Sequence, residues 1–454
     1  MDPQGIVDRS AFVRAFRESA PYIHYLHGKI VVLAFDSGVI ESSAFPALAD
    51  DVLLMGRLGS KIVVCFEIRG LLEGDPAVGS RFVRGVRVTD YASLRRMREV
   101  CGRMQYKLMS AFSAGYASAS EKSPIATVVS GNFALARPMG VIDGVDMGYA
   151  GAVRSVAADK VRRLLDDGCI VVAAPLGFSI GGRCYNVSMP DLASALASGL
   201  KADKLVYLGE DEGLRRKGGG IASNLTLDEL ADRDAFEPVS AELARFLPAA
   251  ESALRSGVPR AQIVSGRSDG ALFAELYTRE GAGTSIKLSS FSDVAPASPD
   301  DAADLARLIA PAVRDGLLLP RDAAYVESRI GDFFLLRYDG AARGCVELKR
   351  FDDDPRAMEL GCLVVSEDSQ SQGDGNKLLA FAMERARRLG AVRLFALTAR
   401  AEDWFRENGF RPSSARELPP SRQRVCAENG RHSKVFVMDL GERESNFVGR
   451  SEPG

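Results

Sequence analysis

Apolar positions follow two different rhythms along this chain. In the first half, short continuous apolar runs recur at 29–35 (KIVVLAF), 61–66 (KIVVCF), 127–129, 169–174, 204–208 and 261–264. Helix-period segments such as 46–58 (PALADDVLLMGRL) separate them. Runs that are apolar on both faces and alternate with helices predict a mainly parallel sheet covered on both sides, an α/β fold. Ahead of them, Phe12, Val13, Phe16 and Tyr22 fall at helical spacing within 12–25, so an amphipathic helix is expected over 1–26. In the second half the pattern changes. An apolar strand at 360–365 leads into Gln370-x-x-Gly373-x-Gly375, and a helix-periodic segment follows at once. A second strand is expected at 393–398, then a short helix carrying Trp404-Phe405-x-x-x-Gly409-Phe410. Glycines at a strand-to-helix junction let the backbone approach a phosphate, and the new helix offers unpaired N–H groups to it.

The punctuation between these halves is polar and contains proline, so 288–298 reads as a linker. Ser298-Pro299-Asp300-Asp301 then fits a helix start. Ser298 caps, Pro299 suits the first turn, and the acids favour the positive end of the helix. A helix from 299 to about 310 therefore opens a second domain, over 299–441, after a first over 27–287. The polar tail 442–454 is expected to be disordered.

Composition narrows the function classes. A chain of 454 residues exceeds one ordinary core, so two or three domains are expected. Lys plus Arg number 58 against 60 Asp plus Glu, which argues against a polybasic surface for nucleic acid or membrane. No apolar run approaches the roughly 20 residues of a membrane helix. Seven cysteines stand singly, with no C-x-x-C pair, which suits reduced thiols in a cytoplasm rather than disulfides or a zinc site. With histidine only at His24, His27 and His432, no histidine-rich metal centre is expected.

The second-half motifs resemble the acetyl-coenzyme A-binding core of GNAT acyltransferases, an α+β fold. The first half resembles the amino-acid kinase fold, a three-layer sandwich. The likeness is greatest to bacterial N-acetylglutamate synthases, through FVRAFRESAPYIHYLHGK, VVSGNFALARPMGVIDGVDMGYAG and DGALFAELYTREGAGTSI. Active kinases of this fold carry a phosphate-binding Lys after the first strand, where this chain has Ala34-Phe35-Asp36-Ser37. The second phosphate loop is Glu67-Ile68-Arg69-Gly70, whose carboxylate repels a phosphate. The first domain is therefore read as regulatory. The resemblance implies L-arginine as effector, bound at Glu280, Gly281, Gly283 and Thr284, and a homo-oligomer that is hexameric in the family.

For the second domain the resemblance implies transfer of acetyl from acetyl-CoA to the α-amine of L-glutamate, the first step of arginine synthesis. Glu359, in M-E-L-G-C-L-V-V, takes the place of the general base, and its neighbours Met358, Leu360 and Leu363 point to an apolar, buried setting. Thr398 falls where the family carries a serine proposed to protonate the thiolate. Leu363 and Val365 are expected to hold the thioester and pantetheine through their backbone. Gln370, Gly373, Gly375 and Asn376 are expected at the pyrophosphate. Arg321, Arg431 and Ser433 match positions that hold the amino-acid carboxylates, a task for bidentate guanidinium groups. Cys362, in an apolar setting without a His or Lys beside it, reads as a neutral core thiol. Two alternatives stay open at this point: a GNAT enzyme acting on another amine, and an arginine-binding regulatory protein with a decayed catalytic site.

Overall fold

The computed structural model describes residues 9–113, 126–278, 280–289, 293–338, 341–366, 374–398, 400–428 and 433–441. They fall into two units, Met1–Ser289 and Ser290–Gly454. The tail 442–454 lies outside the described residues. Among those described, no helix is long and apolar enough to cross a membrane.

Among the described residues, the largest sheet of the first unit has eight strands: β1 (Ile30–Phe35), β2 (Lys61–Phe66), β3 (Val128–Ser130), β4 (Ile170–Ala173), β5 (Lys204–Gly209), β6 (Asn224–Thr226), β7 (Arg260–Ser265) and β8 (Thr284–Lys287). Their order is β6-β8-β7-β5-β1-β2-β4-β3, parallel throughout except for β7 against β8. All six residues of β1 are buried, because alternate side chains enter two separate cores. Val32 and Ala34 join Leu192, Leu196, Phe246 and Leu247 from helices Met189–Leu200 and Ala241–Arg255. Val31, Leu33 and Phe35 join Leu48, Val52, Met104 and Leu272 from helices on the opposite face. This two-sided burial is what continuous apolar runs require. The amphipathic N-terminal segment is helix α1 (Arg9–Leu26). Its last turns bury Tyr22 and Leu26 in the second of these cores, whereas Val13 and Phe16 remain 41% and 56% exposed.

Among the described residues, the second unit has seven strands: β9 (Val294–Pro296), β10 (Phe333–Tyr338), β11 (Ala341–Arg350), β12 (Ala357–Val365), β13 (Arg393–Thr398), β14 (Arg411–Ser413) and β15 (Lys434–Asp439). The order is β9-β10-β11-β12-β13-β15-β14, and only β12 and β13 run parallel. Helices α2 (Ala302–Arg314) and α3 (Ala323–Ser328) bury Leu305, Leu308, Ile309 and Val326 on one face. Helix α4 (Asp374–Arg388) packs Leu378, Leu379, Ala382 and Ala386 on the other. Two short helices, α5 (Glu402–Glu407) and α6 (Pro420–Glu428), follow.

One boundary differs from expectation. The stretch read as a linker contributes β9, which pairs Val294 with Leu336 and Pro296 with Phe334 at the sheet edge. Burial of Val294 ties it down, and an edge strand tolerates the proline and polar residues that suggested a linker. The predicted helix start holds. Ser298 N–H donates to Asp301 Oδ2 at 2.7 Å, a single turn Pro299–Asp301 follows, and α2 continues from it.

Candidate active site

Strand pairing positions the site in the second unit. Parallel pairing between β12 and β13 spans only Ala357↔Arg393, Met358↔Leu394 and Glu359↔Phe395. Beyond it, β12 continues to Val365 on β11, and β13 continues to Thr398 on β15. The two strands therefore part at Glu359 and leave a wedge. Backbone groups of 360–365 that would have paired with β13 face this gap, so an extended ligand can take the place of the missing strand partner. Leu363 and Val365 lie along it. Its far end meets the first turn of α4, which contains Gly375 and Asn376. A Cβ placed at Gly375 would lie 3.7 Å from Trp404 and 3.9 Å from Val365, ordinary contact distances. Gln370 and Gly373 lie outside the described residues, as does Arg431.

Glu359 sits at the apex and is buried. Its surroundings differ from the apolar setting expected of it. From α6, Arg422 Nε donates to Oε2 at 2.8 Å and Nη2 to Oε1 at 2.7 Å, a bidentate pair. Both side chains are close to nine-tenths buried. A carboxylate offers about four lone-pair sites, so this pair leaves Glu359 able to accept a further N–H. Lys349, opposite Glu359 on β11, faces Glu359, Glu347, Arg329 and Arg422, and burial pulls its ammonium pKa down.

Thr398 ends β13 about three residues beyond Glu359's partner, roughly 10 Å along a strand. Its Oγ1 accepts N–H bonds from Ala401 at 3.0 Å and Arg400 at 3.3 Å. Both bonds use lone pairs, so the hydroxyl proton stays available. Ser433 immediately precedes β15, whose Lys434 pairs with Thr398, so Ser433 is at the same mouth.

Arg321, just before α3, is carried to the same face of the sheet. Its guanidinium carbon stands 4.3 Å from the Tyr325 ring centroid, and Nη2 is 4.0 Å from Glu347 Oε2. Cys362, on the same face, adopts φ +43°. Burial first, and then Glu347, push its thiol up to about 12, so it is neutral and no nucleophile at ordinary pH.

Arg422, Lys349, Glu347 and Tyr325 were not found from sequence. Glu347 lies between Val346 and Leu348 and reads as the outward position of an alternating strand. Helices α2 and α3 cover that second face, which alternation does not reveal. Nothing in P-S-R-Q-R distinguishes Arg422 from a solvated arginine.

In the first unit the two positions of phosphate loops are occupied by carboxylates with internal partners. Asp36 Oδ1 accepts Gly38 N–H at 2.7 Å, and burial pushes its carboxyl up, with Glu67 and Glu210 adding to the effect. Glu67 Oε1 accepts from Ile68 and Arg69 N–H, and Oε2 pairs with Arg245 at 2.9 Å. Arg245 is also held by Glu242. ATP supplied with glutamate is accordingly expected to yield no acyl phosphate, and trapping of one as a hydroxamate would contradict this.

Two carboxylates, one exposed and one buried, accompany the loop 280–284. Glu280 is exposed. The buried carboxylate beneath the loop is Glu275, whose Oε2 accepts N–H from Ala282 at 2.8 Å and Gly283 at 2.9 Å, while Oε1 accepts from Gln262 at 2.6 Å. Gly283 passes so close to β7 that a Cβ would lie 2.1 Å from the Ile263 carbonyl oxygen. Thr284 Oγ1 accepts Leu214 N–H at 2.8 Å. Gly283 and Thr284 thus serve the fold itself, whatever else they touch.

The amino acid kinase family matches residues 29–265, and the acetyltransferase (GNAT) family matches residues 302–410. An amino-acid acetyltransferase of Neisseria meningitidis serogroup A is 38% identical over 432 residues, 94% of this chain and 98% of the relative. One from Ralstonia nicotianae is 34% identical over 421 residues, 92% and 93% of the two chains. Among solved structures, N-acetylglutamate synthase from Neisseria gonorrhoeae complexed with coenzyme A and L-arginine matches at TM-score 0.77 and 38% identity, covering 95% of this chain and all of that one. The same enzyme complexed with coenzyme A and N-acetyl-glutamate matches at TM-score 0.60 and 37% identity, with the same coverage.

Proposed function

We propose, from the premise that this chain belongs to the amino-acid acetyltransferase family, that it transfers acetyl from acetyl-CoA to the α-amine of L-glutamate. The observation that supports this most is the parting of β12 and β13 at a buried carboxylate, because it sets the thioester's extended path and a proton acceptor at one point. Pantetheine lies along Leu363 and Val365. The pyrophosphate is taken by Gly375 and Asn376 at the start of α4, with Gln370 and Gly373 ahead of them. The acceptor's carboxylates are held by Arg321, Arg431 and Ser433. Glu359 accepts a proton from the α-ammonium. The freed nitrogen attacks the carbonyl carbon and the C–S bond breaks; Thr398 protonates the departing thiolate, and its hydroxyl is restored by the second proton that the nitrogen loses on becoming the amide. Cys362 forms no acyl intermediate.

Release of CoA from acetyl-CoA over a panel of amino acids tests this reading. Glutamate is expected to lead the panel, and a panel led by another amine would favour a GNAT enzyme of different specificity. Gly375→Val is expected to weaken acetyl-CoA binding by tenfold or more, because a side chain there keeps a phosphate off the helix start. An added Cβ at Gly375 makes only ordinary contacts, so the first carbon of the new side chain fits the folded protein. Unchanged affinity by calorimetry in a folded variant would remove Gly375 from the site.

L-Arginine is the proposed effector, bound at the loop 280–284 of the first unit and inhibiting transfer in the second. A guanidinium needs a carboxylate and backbone carbonyls, and this loop has Glu280 at its surface and Glu275 beneath it. Inhibition requires tighter arginine binding to the less active state, and about 1.4 kcal/mol of difference gives tenfold. Glu275→Gln is expected to raise the arginine concentration for half-inhibition by about tenfold or more, and exposed Glu280→Gln by less. Inhibition curves identical to the parent in both variants would move the effector elsewhere. Exposed Val13 and Phe16 on α1 suit contact with a second copy of the chain, consistent with a homo-oligomer. The cytoplasm is the proposed compartment, where the seven cysteines, all free thiols, remain reduced.

A further inference from the structure

Beside the wedge, one group of polar side chains is unused by the transfer chemistry. Glu347 is only 2% exposed although it carries a carboxylate. It accepts the Tyr325 hydroxyl at Oε1, 2.6 Å away, and faces Arg321 through Oε2 at 4.0 Å. Space has been kept for it: a Cβ on Gly361, its partner across the ladder, would come within 2.9 Å of Oε2. Tyr325 is in turn fixed by its own helix start, where Asp322 Oδ1 accepts its backbone N–H at 2.8 Å. The Arg321 guanidinium lies against the Tyr325 ring at 4.3 Å, and its Nε is buried with no hydrogen-bond partner among the described residues. A buried donor of this kind is destabilising unless something accepts from it.

We infer that Glu347 and Tyr325 are positioning residues for the known reaction, which hold Arg321, whose guanidinium also contacts the Cys362 side chain, so that its unpartnered Nε–H receives a carboxylate of the acceptor. The inference rests on the proposed function and deepens it. Arg321 has four rotatable bonds, and stacking on Tyr325 removes most of that freedom before the substrate arrives. Glu347 balances the guanidinium charge without occupying the Nε edge. Its carboxylate is locked by the tyrosine hydroxyl, so it cannot swing round to compete for that edge. The acceptor's carboxylate then meets a donor already in place, and its oxygen satisfies the buried Nε–H.

The test uses the full chain with Tyr325→Phe, Glu347→Gln and Arg321→Gln, singly and with Tyr325→Phe combined with Arg321→Gln, each checked for a native melting profile. Steady-state kinetics are read on the best acceptor of the amino-acid panel. Tyr325→Phe and Glu347→Gln are expected to raise the acceptor KM by about tenfold, with kcat within about threefold and the acetyl-CoA KM unmoved. In the Arg321→Gln background, Tyr325→Phe is expected to add little, since both changes disable one unit. An unchanged acceptor KM, a loss confined to kcat, or full additivity in the double variant would each overturn the inference. Failure of the proposed function shows separately, as a parent enzyme that prefers an acceptor other than glutamate. A chain that acetylates no amine overturns both.

Discussion

Glu359→Gln is expected to lower turnover by about 10²–10⁴-fold, the range for loss of a general base. The amide keeps the size of the side chain and one oxygen for Arg422 but removes the counter-charge of that buried guanidinium, so the second unit is expected to lose stability while the folded protein keeps the shape of the wedge. Leu363, Val365 and the start of α4 are untouched, and acetyl-CoA affinity should stay within about twofold. A base that acts only on the reacting amine affects kcat and leaves the binding of the thioester alone. The pair of measurements separates this from a structural role, because a collapsed apex would weaken acetyl-CoA binding as well. Near-normal turnover between about pH 6 and 9 would make Glu359 a framework residue and Arg422 merely its counter-ion.

Arg422→Met is expected to destabilise the second unit by about 3–5 kcal/mol, because it leaves Glu359 buried without its counter-charge. The magnitude follows from the burial of both side chains and from the two hydrogen bonds of 2.7 and 2.8 Å. Adding Glu359→Gln to Arg422→Met should return a large part of the loss, since the uncompensated charge disappears with it. Chemical denaturation of the four proteins in one cycle reads this coupling. A loss below about 1 kcal/mol in Arg422→Met would place the pair with exposed ion pairs, which contribute little.

Much of this architecture was legible because its signals are periodic. Continuous apolar runs such as KIVVLAF and KIVVCF can be read as buried parallel strands, and β1, β2, β4, β5 and β7 appear where those runs stand. The order strand, loop, helix, strand in the second half was readable for the same reason. Single side chains whose meaning comes from distant partners were not readable. Arg422 is 63 positions from Glu359, and no local pattern marks their pairing. Glu347 is not marked by alternation, which reports one covered face, whereas this sheet is covered on both. In the loop after Tyr277, Glu280 is legible only through the resemblance to an arginine-binding loop. The fold instead buries Glu275, which helix geometry turns back beneath the loop to bind its N–H groups. The sequence of β9 reads as a linker because an edge strand needs few apolar residues.

The central claim is that the apex of the wedge joins the acetyl carbon to the α-nitrogen of glutamate, and isotope-coupled NMR of the product tests it most directly. The enzyme would be given acetyl-CoA labelled with ¹³C at the carbonyl and glutamate labelled with ¹⁵N, with CoA release followed in the same sample. The account predicts one new ¹³C–¹⁵N-coupled amide that grows in step with CoA and is nearly absent with Glu359→Gln. CoA release without that coupled amide, or an equal yield of it from Glu359→Gln, would contradict the account.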